Sequence, residues 1–183
     1  MDQLKAATQI VEDAFKKESP AQYFTAIMSG GATEAPKILK REAENALDLE
    51  HSQFYATYLA EKATGMIEGK RSYGFVAAVE VLDEGERPID IGYDSVERMR
   101  KVIQSNFPEV SRVLQLVAAR KDDEGYYISM RAVETQDFLT ADTSKIPWKT
   151  LELAAKKILS ACPKVIKVYY DVTPKPPATV EYE

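Results

Sequence analysis

The chain has 183 residues, of which 45% are hydrophobic and 29% are charged, and its formal net charge is −5. This composition is typical of a globular domain with a sizeable core and excludes a largely disordered chain. The acidic balance argues against non-specific binding of nucleic acid, which requires a basic surface.

The single cysteine, Cys162, excludes an intramolecular disulfide and is typical of a protein from a reducing compartment. The N-terminal segment is amphipathic and lacks the apolar centre of a signal peptide. No apolar run reaches the ~20 residues that are needed to cross a bilayer. The sequence therefore predicts a cytoplasmic protein that does not enter a membrane.

The first predicted elements are an amphipathic helix and a short strand. Apolar residues recur three and four positions apart between Leu4 and Phe15, and the pair Ser19-Pro20 ends this helix. The apolar run 23–28 then predicts a buried strand that ends at two glycines.

Residues 32–65 are predicted to form a helical insertion that contains two helices. The spacing of Leu39 and Ala43 predicts an apolar face on the first helix, and Phe54 and Tyr58 predict the apolar face of the second. Glycines mark the C-terminal end of this predicted insertion.

An internal repeat fills the rest of the chain. Residues 95–113 align with residues 150–168 at an offset of 55 positions. The identical pairs are Glu97/Glu152, Lys101/Lys156, Ile103/Ile158, Ser105/Ser160, Pro108/Pro163, Val110/Val165 and Val113/Val168. Units 70–120 and 126–172 therefore each consist of a strand, a helix, a proline turn and a strand, and the turn 121–125 is expected to join them as a hairpin. Chance similarity between two amphipathic units is the alternative.

The predicted fold class is α+β. It combines an N-terminal helix and strand, the helical insertion, and two repeated strand–helix–strand units whose helices cover one face of a mainly antiparallel sheet. A single unit has one apolar face that needs a partner. Either the second unit of the same chain or a second copy of the chain can supply that partner.

The last nine residues, KPPATVEYE, are the most informative segment of the sequence. Two adjacent prolines impose an extended path, and two acidic residues follow them. By itself this pattern is typical of an edge strand that proline and charge protect against aggregation. The longer string VYYDVTPKPPATVEYE, residues 168–183, resembles the C-terminus of the GMP synthetase family.

The resemblance is not confined to the C-terminus. Residues 131–142 and 146–165 are similar to the body of this family's C-terminal dimerisation domain. Residues 4–15 and 20–28 resemble the helix and strand that open the same domain. Residues 32–65 have no counterpart in the shorter bacterial members and look like an insertion of the kind that archaeal members carry.

The resemblance implies a role in guanine nucleotide biosynthesis. The family converts XMP to GMP with ATP and glutamine-derived ammonia, and is a carbon–nitrogen ligase. By resemblance, residues 1–183 are its C-terminal dimerisation domain, and residues 173–183 are a tail that contacts the substrate. The ATP pyrophosphatase and glutaminase domains are expected to be missing, so that the chain is catalytically incomplete and inactive alone. No cofactor is expected in this chain, and ATP and magnesium are expected in the missing catalytic domain.

Two apparent catalytic features do not fit the chemistry. Residues 29–34, SGGATE, begin like the family's phosphate-binding SGGxDS loop but lack its aspartate and serine, so a glycine turn is favoured. A glutaminase needs a cysteine nucleophile supported by a histidine. Cys162 is instead expected to pack in the core, and His51 is expected to face solvent. No catalytic residue and no metal site are predicted, since one histidine and one cysteine cannot build a zinc site.

The family's substrate contacts map onto five residues of this chain. By resemblance, Lys175 offers a cation to the anionic nucleotide, and Glu181 accepts hydrogen bonds from the base or ribose. Val180 contributes mainly its backbone, and Gln22 approaches the substrate from the first strand. Arg131 is either a phosphate ligand or an interface ion pair. For Lys175 and Glu181 the alternative is a solvated salt bridge at the terminus.

The expected partners are XMP, the ATP pyrophosphatase domain and the glutaminase subunit of GMP synthase. The chain is also expected to be a homodimer or an internal pseudo-dimer. A fragment, a separately encoded piece and a paralogue that has lost catalysis all remain possible origins. The competing hypothesis is a regulatory or assembly module without catalysis that reuses the same fold. A nucleic-acid-binding domain is disfavoured because no basic aromatic face is evident.

Overall fold

A computed structural model describes residues 2–18, 22–50, 52–67, 70–135, 141–143 and 145–174. The helices are α1 (Asp2–Phe15), α2 (Lys37–Asn45), α3 (Tyr93–Asn106) and α4 (Trp148–Ala161), and a 3₁₀ turn (Lys16–Glu18) follows α1. The strands are β1 (Gln22–Met28), β2 (Ala32–Glu34), β3 (Gln53–Ile67), β4 (Lys70–Leu82), β5 (Val110–Ala119), β6 (Tyr126–Thr135), β7 (Ala141–Thr143) and β8 (Val165–Asp171). Among the helices of these residues, none is long and apolar enough to cross a membrane.

All eight strands belong to one sheet with the order β1-β6-β8-β5-β4-β3-β2, and β7 pairs with the end of β6. The pairs β4–β5 and β6–β8 are parallel, and the other pairs are antiparallel. The α+β class and the mainly antiparallel sheet are therefore confirmed. All four helices contribute to one hydrophobic cluster with one face of the sheet, through side chains such as Phe15, Leu39, Ile103 and Ile158.

The repeated segments occupy equivalent places in the sheet. Each is a parallel strand–helix–strand unit, β4-α3-β5 in the first and β6-α4-β8 in the second. The two units meet at the centre, where β5 and β8 pair antiparallel. This pairing relates the two units by a pseudo-two-fold axis that runs through the middle of the sheet.

The equivalence includes the elements outside the repeated sequence. Strand β3 pairs antiparallel with β4, and β1 pairs antiparallel with β6. The helices preceding these strands also correspond, because α2 packs on α3 and α1 packs on α4. The chain thus contains two αββαβ units, and the unit α2-β3-β4-α3-β5 is inserted between β1 and β6 of the other.

The sheet is open but strongly curled. Strands β1 and β2 lie at opposite edges, yet only residues 29–31 join them. A flat sheet of seven strands would separate its edges by roughly 29 Å, whereas this connection spans at most about 14 Å. Consistent with the curl, the Ser29 N–H donates to Glu61 Oε1 (2.7 Å) in β3. The concave side holds a second hydrophobic cluster, which includes Leu114 and Tyr169.

The connection that brings the two sheet edges together requires a glycine at position 30. Gly30 has φ of 85°, and a Cβ atom added there would lie 1.7 Å from the carbonyl oxygen of Gly125. Both the backbone conformation and the close approach therefore exclude a side chain.

Two expectations about local structure are wrong. Residues around Phe54 and Tyr58 form strand β3 and not a second helix. Phe54, Ala56 and Tyr58 are buried while Tyr55 is exposed, which is the alternation of a strand that pairs with β4. The turn 121–125 does not close a hairpin, because β8 lies between β5 and β6 and pairs with both.

We predict that Gly30→Ala lowers the free energy of unfolding by more than about 4 kcal/mol, since it adds a steric clash to a strained backbone. Gly92→Ala is the matched control, because Gly92 also has a positive φ (77°) but no atom lies within 4 Å of its added Cβ. Strain alone is expected to cost the control about 1–3 kcal/mol. Urea denaturation measures both variants, and equal losses would contradict the close approach.

Candidate functional site

The candidate site lies at one end of three neighbouring strands, on the face that the helices leave uncovered. In the β1–β6 ladder, Gln22 is opposite Val133 and Phe24 is opposite Arg131. Because alternate residues of a strand share a face, Gln22 and Arg131 lie on the same face. Strand β8 ends beside them at Asp171.

A buried ion-pair cluster forms the base of this site. Asp171 Oδ2 accepts hydrogen bonds from Arg131 Nη1 (2.8 Å) and Arg112 Nη1 (3.0 Å). The side chains of Asp171 and Arg112 are 0% exposed, and that of Arg131 is 1% exposed. Two guanidinium groups from β5 and β6 thus share one carboxylate from β8, and the three strands are tied together.

The same carboxylate fixes the start of the C-terminal tail. Asp171 Oδ1 accepts a hydrogen bond from the Thr173 N–H (2.9 Å), and Thr173 Oγ1 accepts one from the Val113 N–H (2.8 Å). The Val172 N–H also donates to the Val113 carbonyl (3.0 Å). The chain therefore leaves the sheet in a direction that β5 and Asp171 set, two residues before Lys175.

Electrostatics keep Asp171 ionised. Burial by itself raises the pKa of Asp171, but Arg131, Arg112 and the hydrogen bonds from Thr173 together hold this pKa below its ordinary value. On the other side of the pair, Arg131 Nε and Nη2 are buried and donate to no acceptor among the residues that the structure describes. These two nitrogens carry three N–H donors in total.

The residues expected from the sequence fall into two groups. Gln22 is exposed at the start of β1, and Arg131 is buried in an ion pair within the chain. Lys175, Val180 and Glu181 lie outside the described residues, as does His51. The ligand roles of all five substrate-contact residues remain predictions.

The rejected catalytic features have structural roles where the structure describes them. Residues 29–34 form the glycine connection and β2. Cys162 is buried at the end of α4, and burial raises the pKa of its thiol despite the opposing effect of Arg120. Across the described ranges, no group of three or more His, Cys, Asp or Glu side chains comes together as metal ligands do.

Sequence reasoning missed three residues of the cluster, namely Arg112, Asp171 and Thr173. A signal was present, because Arg112 lies within, and Asp171 ends, a strand that is mostly apolar. A charge within a buried strand needs a partner of opposite charge. The pairing itself depends on strand order, which the sequence did not provide.

Comparison with known proteins identifies the relationship. Residues 117–182 match the family model described as GMP synthase C terminal domain. This range includes Arg131, Asp171 and the whole proline-containing part of the tail. The chain contains a GMP synthase C-terminal domain.

Similar proteins extend the relationship beyond the family model. A protein from Sulfurisphaera tokodaii, named as a subunit of glutamine-hydrolyzing GMP synthase, is 35% identical over 181 residues, which is 98% of this chain and 43% of that protein. The protein of the same name from Saccharolobus islandicus is 38% identical over 122 residues, covering 67% of this chain and 30% of the relative. An Aeropyrum pernix protein named glutamine-hydrolyzing GMP synthase is 48% identical over 59 residues, covering 32% and 12%. The chain spans less than half the length of the curated relatives it matches.

We predict that Asp171→Asn lowers the free energy of unfolding by about 3–5 kcal/mol, because it leaves two buried guanidinium groups without their shared counter-charge. Glu152→Gln is the control, since Glu152 forms an exposed ion pair with Lys156 (2.8 Å). Its loss is expected to stay below about 1 kcal/mol. Chemical denaturation at pH 7 measures both, and similar losses would show that Asp171 contributes little.

The lowered pKa of Asp171 also predicts a pH dependence. A carboxylate whose pKa is lower in the folded state stabilises the fold above its ordinary pKa, about 4, and this contribution is lost as the pH falls through the folded pKa. We expect the stability difference between the wild type and Asp171→Asn to be largest near pH 7 and to shrink below about pH 4. Urea midpoints measured from pH 7 to well below pH 4 test this, and a constant difference over that whole range would contradict it.

Proposed function

We propose that the chain is the dimerisation and XMP-binding part of a GMP synthase, which makes GMP from XMP with ATP and glutamine-derived ammonia. The observation that carries the proposal is the similarity of 98% of the chain to a protein named as a subunit of glutamine-hydrolyzing GMP synthase. We also propose that the protein is located in the cytoplasm.

The geometry of the site supports XMP binding where β1 begins and β6 and β8 end. Gln22 and Arg131 lie on the same face, and the tail that carries Lys175 and Glu181 leaves from Asp171 and Thr173. In this proposal Gln22, Lys175 and Glu181 contact the nucleotide directly, and Val180 contributes backbone contacts. Arg131 either supports the site through Asp171 or offers its Nε and Nη2 groups to the phosphate.

The chemistry of amination is assigned to other parts of the enzyme. ATP and magnesium would bind an ATP pyrophosphatase domain, and ammonia would come from a glutaminase subunit. The chain would then contribute one wall of the XMP site and fix the assembly, either as a homodimer or through its two internal units. Light scattering distinguishes a 20.5 kDa monomer from a particle of twice that mass.

The second candidate is a regulatory or assembly module without a substrate role. The observation that favours it is the complete burial of Arg131 in an internal ion pair, which is a structural role. The two candidates differ in whether the tail affects the kinetics for XMP.

We predict that Lys175→Ala and Glu181→Ala, each introduced into the complete enzyme, lower kcat/KM for XMP by roughly 10- to 100-fold, because each removes a charge-assisted hydrogen bond. The KM for ATP is expected to stay unchanged. Steady-state rates of GMP formation measure both constants.

Lys164→Ala and Glu84→Ala are the matched controls, because both residues are exposed, Lys164 precedes the opposite end of β8, and Glu84 lies in the turn after β4. They should leave both constants unchanged. If the tail variants also behave like the wild type towards XMP, the assembly role replaces the substrate role.

A further inference from the structure

A cavity of about 260 Å³ lies on the helical face of the sheet, between the first turns of α3 and α4. Three pairs of residues at the repeat offset of 55 line it, namely Tyr93/Trp148, Val96/Leu151 and Gln115/Tyr170. The cavity therefore sits on the pseudo-two-fold axis, and each unit contributes the same positions to it. It is on the opposite face of the sheet from Gln22 and Arg131.

The sheet side of the cavity presents the carboxamide of Gln115. This residue is only 4% exposed, so its polar side chain is largely shielded from bulk solvent. In such surroundings a hydrogen bond between the carboxamide and a ligand would add to affinity. The two tyrosine hydroxyls, by contrast, donate to backbone carbonyls, Tyr93 to Ile146 (2.6 Å) and Tyr170 to Ala132 (3.4 Å).

The walls of the cavity are aromatic and aliphatic. The hydrogen bond to Ile146 fixes Tyr93, and the bond from Trp148 Nε1 to Glu152 Oε2 (3.1 Å) fixes Trp148. Both residues are the first of their helices, and neither helix has a side-chain N-cap. Fixed rings of this kind favour a flat ligand, and the helix N-termini favour a ligand edge that carries a carbonyl or ring nitrogen.

The charges around the opening argue for a ligand without net charge. Asp90 lines the cavity and accepts a hydrogen bond from the Gly92 N–H (2.9 Å). The adjoining groove is lined by Glu97, Arg100 and Lys145, so both signs are present. Neither an anion nor a cation gains a clear advantage from this mixture.

We propose that this cavity binds an uncharged, planar heteroaromatic molecule of one or two fused rings, with a hydrogen-bond donor and acceptor on one edge. The ring packs against Tyr93 and Trp148, and the edge pairs with the carboxamide of Gln115. A carboxamide can donate and accept at once, which matches such an edge. The cavity volume accommodates a ligand of this size.

The only tryptophan of the chain lines the cavity, so its fluorescence reports binding directly. Nicotinamide and adenine are suitable probes, because both are planar, uncharged at pH 7 and carry a donor–acceptor edge. We expect saturable changes in Trp148 fluorescence with a Kd in the millimolar range or below. Nicotinate, the anionic analogue of nicotinamide, should bind at least about tenfold more weakly.

Variants of residues that line the cavity test whether the probes bind there. Gln115→Leu removes the amide at similar size and is expected to weaken both probes about tenfold or more while leaving the folded protein at least as stable. Gln53→Leu in β3, at the other side of the sheet, is the control and should not change the Kd. Val96→Phe fills the cavity and should abolish binding, and it replaces Gln115→Leu as the test if that variant does not fold.

Absence of saturable binding of both probes would overturn the proposal. Unchanged affinity in both Gln115→Leu and Val96→Phe would do the same, since the probes would then bind elsewhere. Titration of the complete enzyme with XMP separates this site from the proposed substrate site. Gln115→Leu should leave the KM for XMP unchanged even where it weakens the probes.

Discussion

The carboxylate of Asp171 is the interaction on which the rest of the structure depends. It accepts hydrogen bonds from Arg112 of β5 and Arg131 of β6, so it connects the two repeated units. It also accepts from the backbone of Thr173 and thereby directs the start of the tail. One buried group thus couples the centre of the sheet to the segment that carries the family signature.

Curling of the sheet gives its two faces different roles. The connection 29–31 forces the edges together, so the concave face is filled by its own hydrophobic cluster and by the ion pairs of Asp171. The convex face is covered by four helices. The end of the concave face carries the proposed XMP site, and the helical face carries the cavity on the pseudo-two-fold axis. Since the sheet separates them, the two sites can be tested independently.

The insertion of one αββαβ unit into the other explains why the chain pairs with itself. Each unit has one layer of helices and one strand edge whose backbone groups need a hydrogen-bonding partner. The antiparallel pairing of β5 with β8 joins these two edges to each other. The two units are not equivalent in charge, because the sheet positions of Asp171 and Arg131 in the second unit correspond to Leu116 and Glu80 in the first. The second unit supplies the shared carboxylate Asp171 and the tail, which breaks the symmetry where the substrate is proposed to bind.

Local sequence determined the features that depend on short-range periodicity. The helices α1, α3 and α4 and the first helix of the insertion follow from apolar spacing, and the repeat and its offset of 55 follow from identical residues. The family relationship follows from the tail and residues 131–165. Gln22 and Arg131 could be proposed as site residues in the same way, through resemblance.

Tertiary structure alone decided the features that depend on contacts distant in sequence. Phe54, Tyr55, Tyr58 and Leu59 fit a helical face as well as a strand, and only pairing with β4 makes them β3. The place of β8 between β5 and β6 also cannot be read from the turn 121–125, because a parallel crossover is not encoded locally. The sequence by itself determined the four helices, the duplication and the family. The strand order decided which charges meet, and so produced the Asp171 cluster and the shared cavity from residues that the chain keeps far apart.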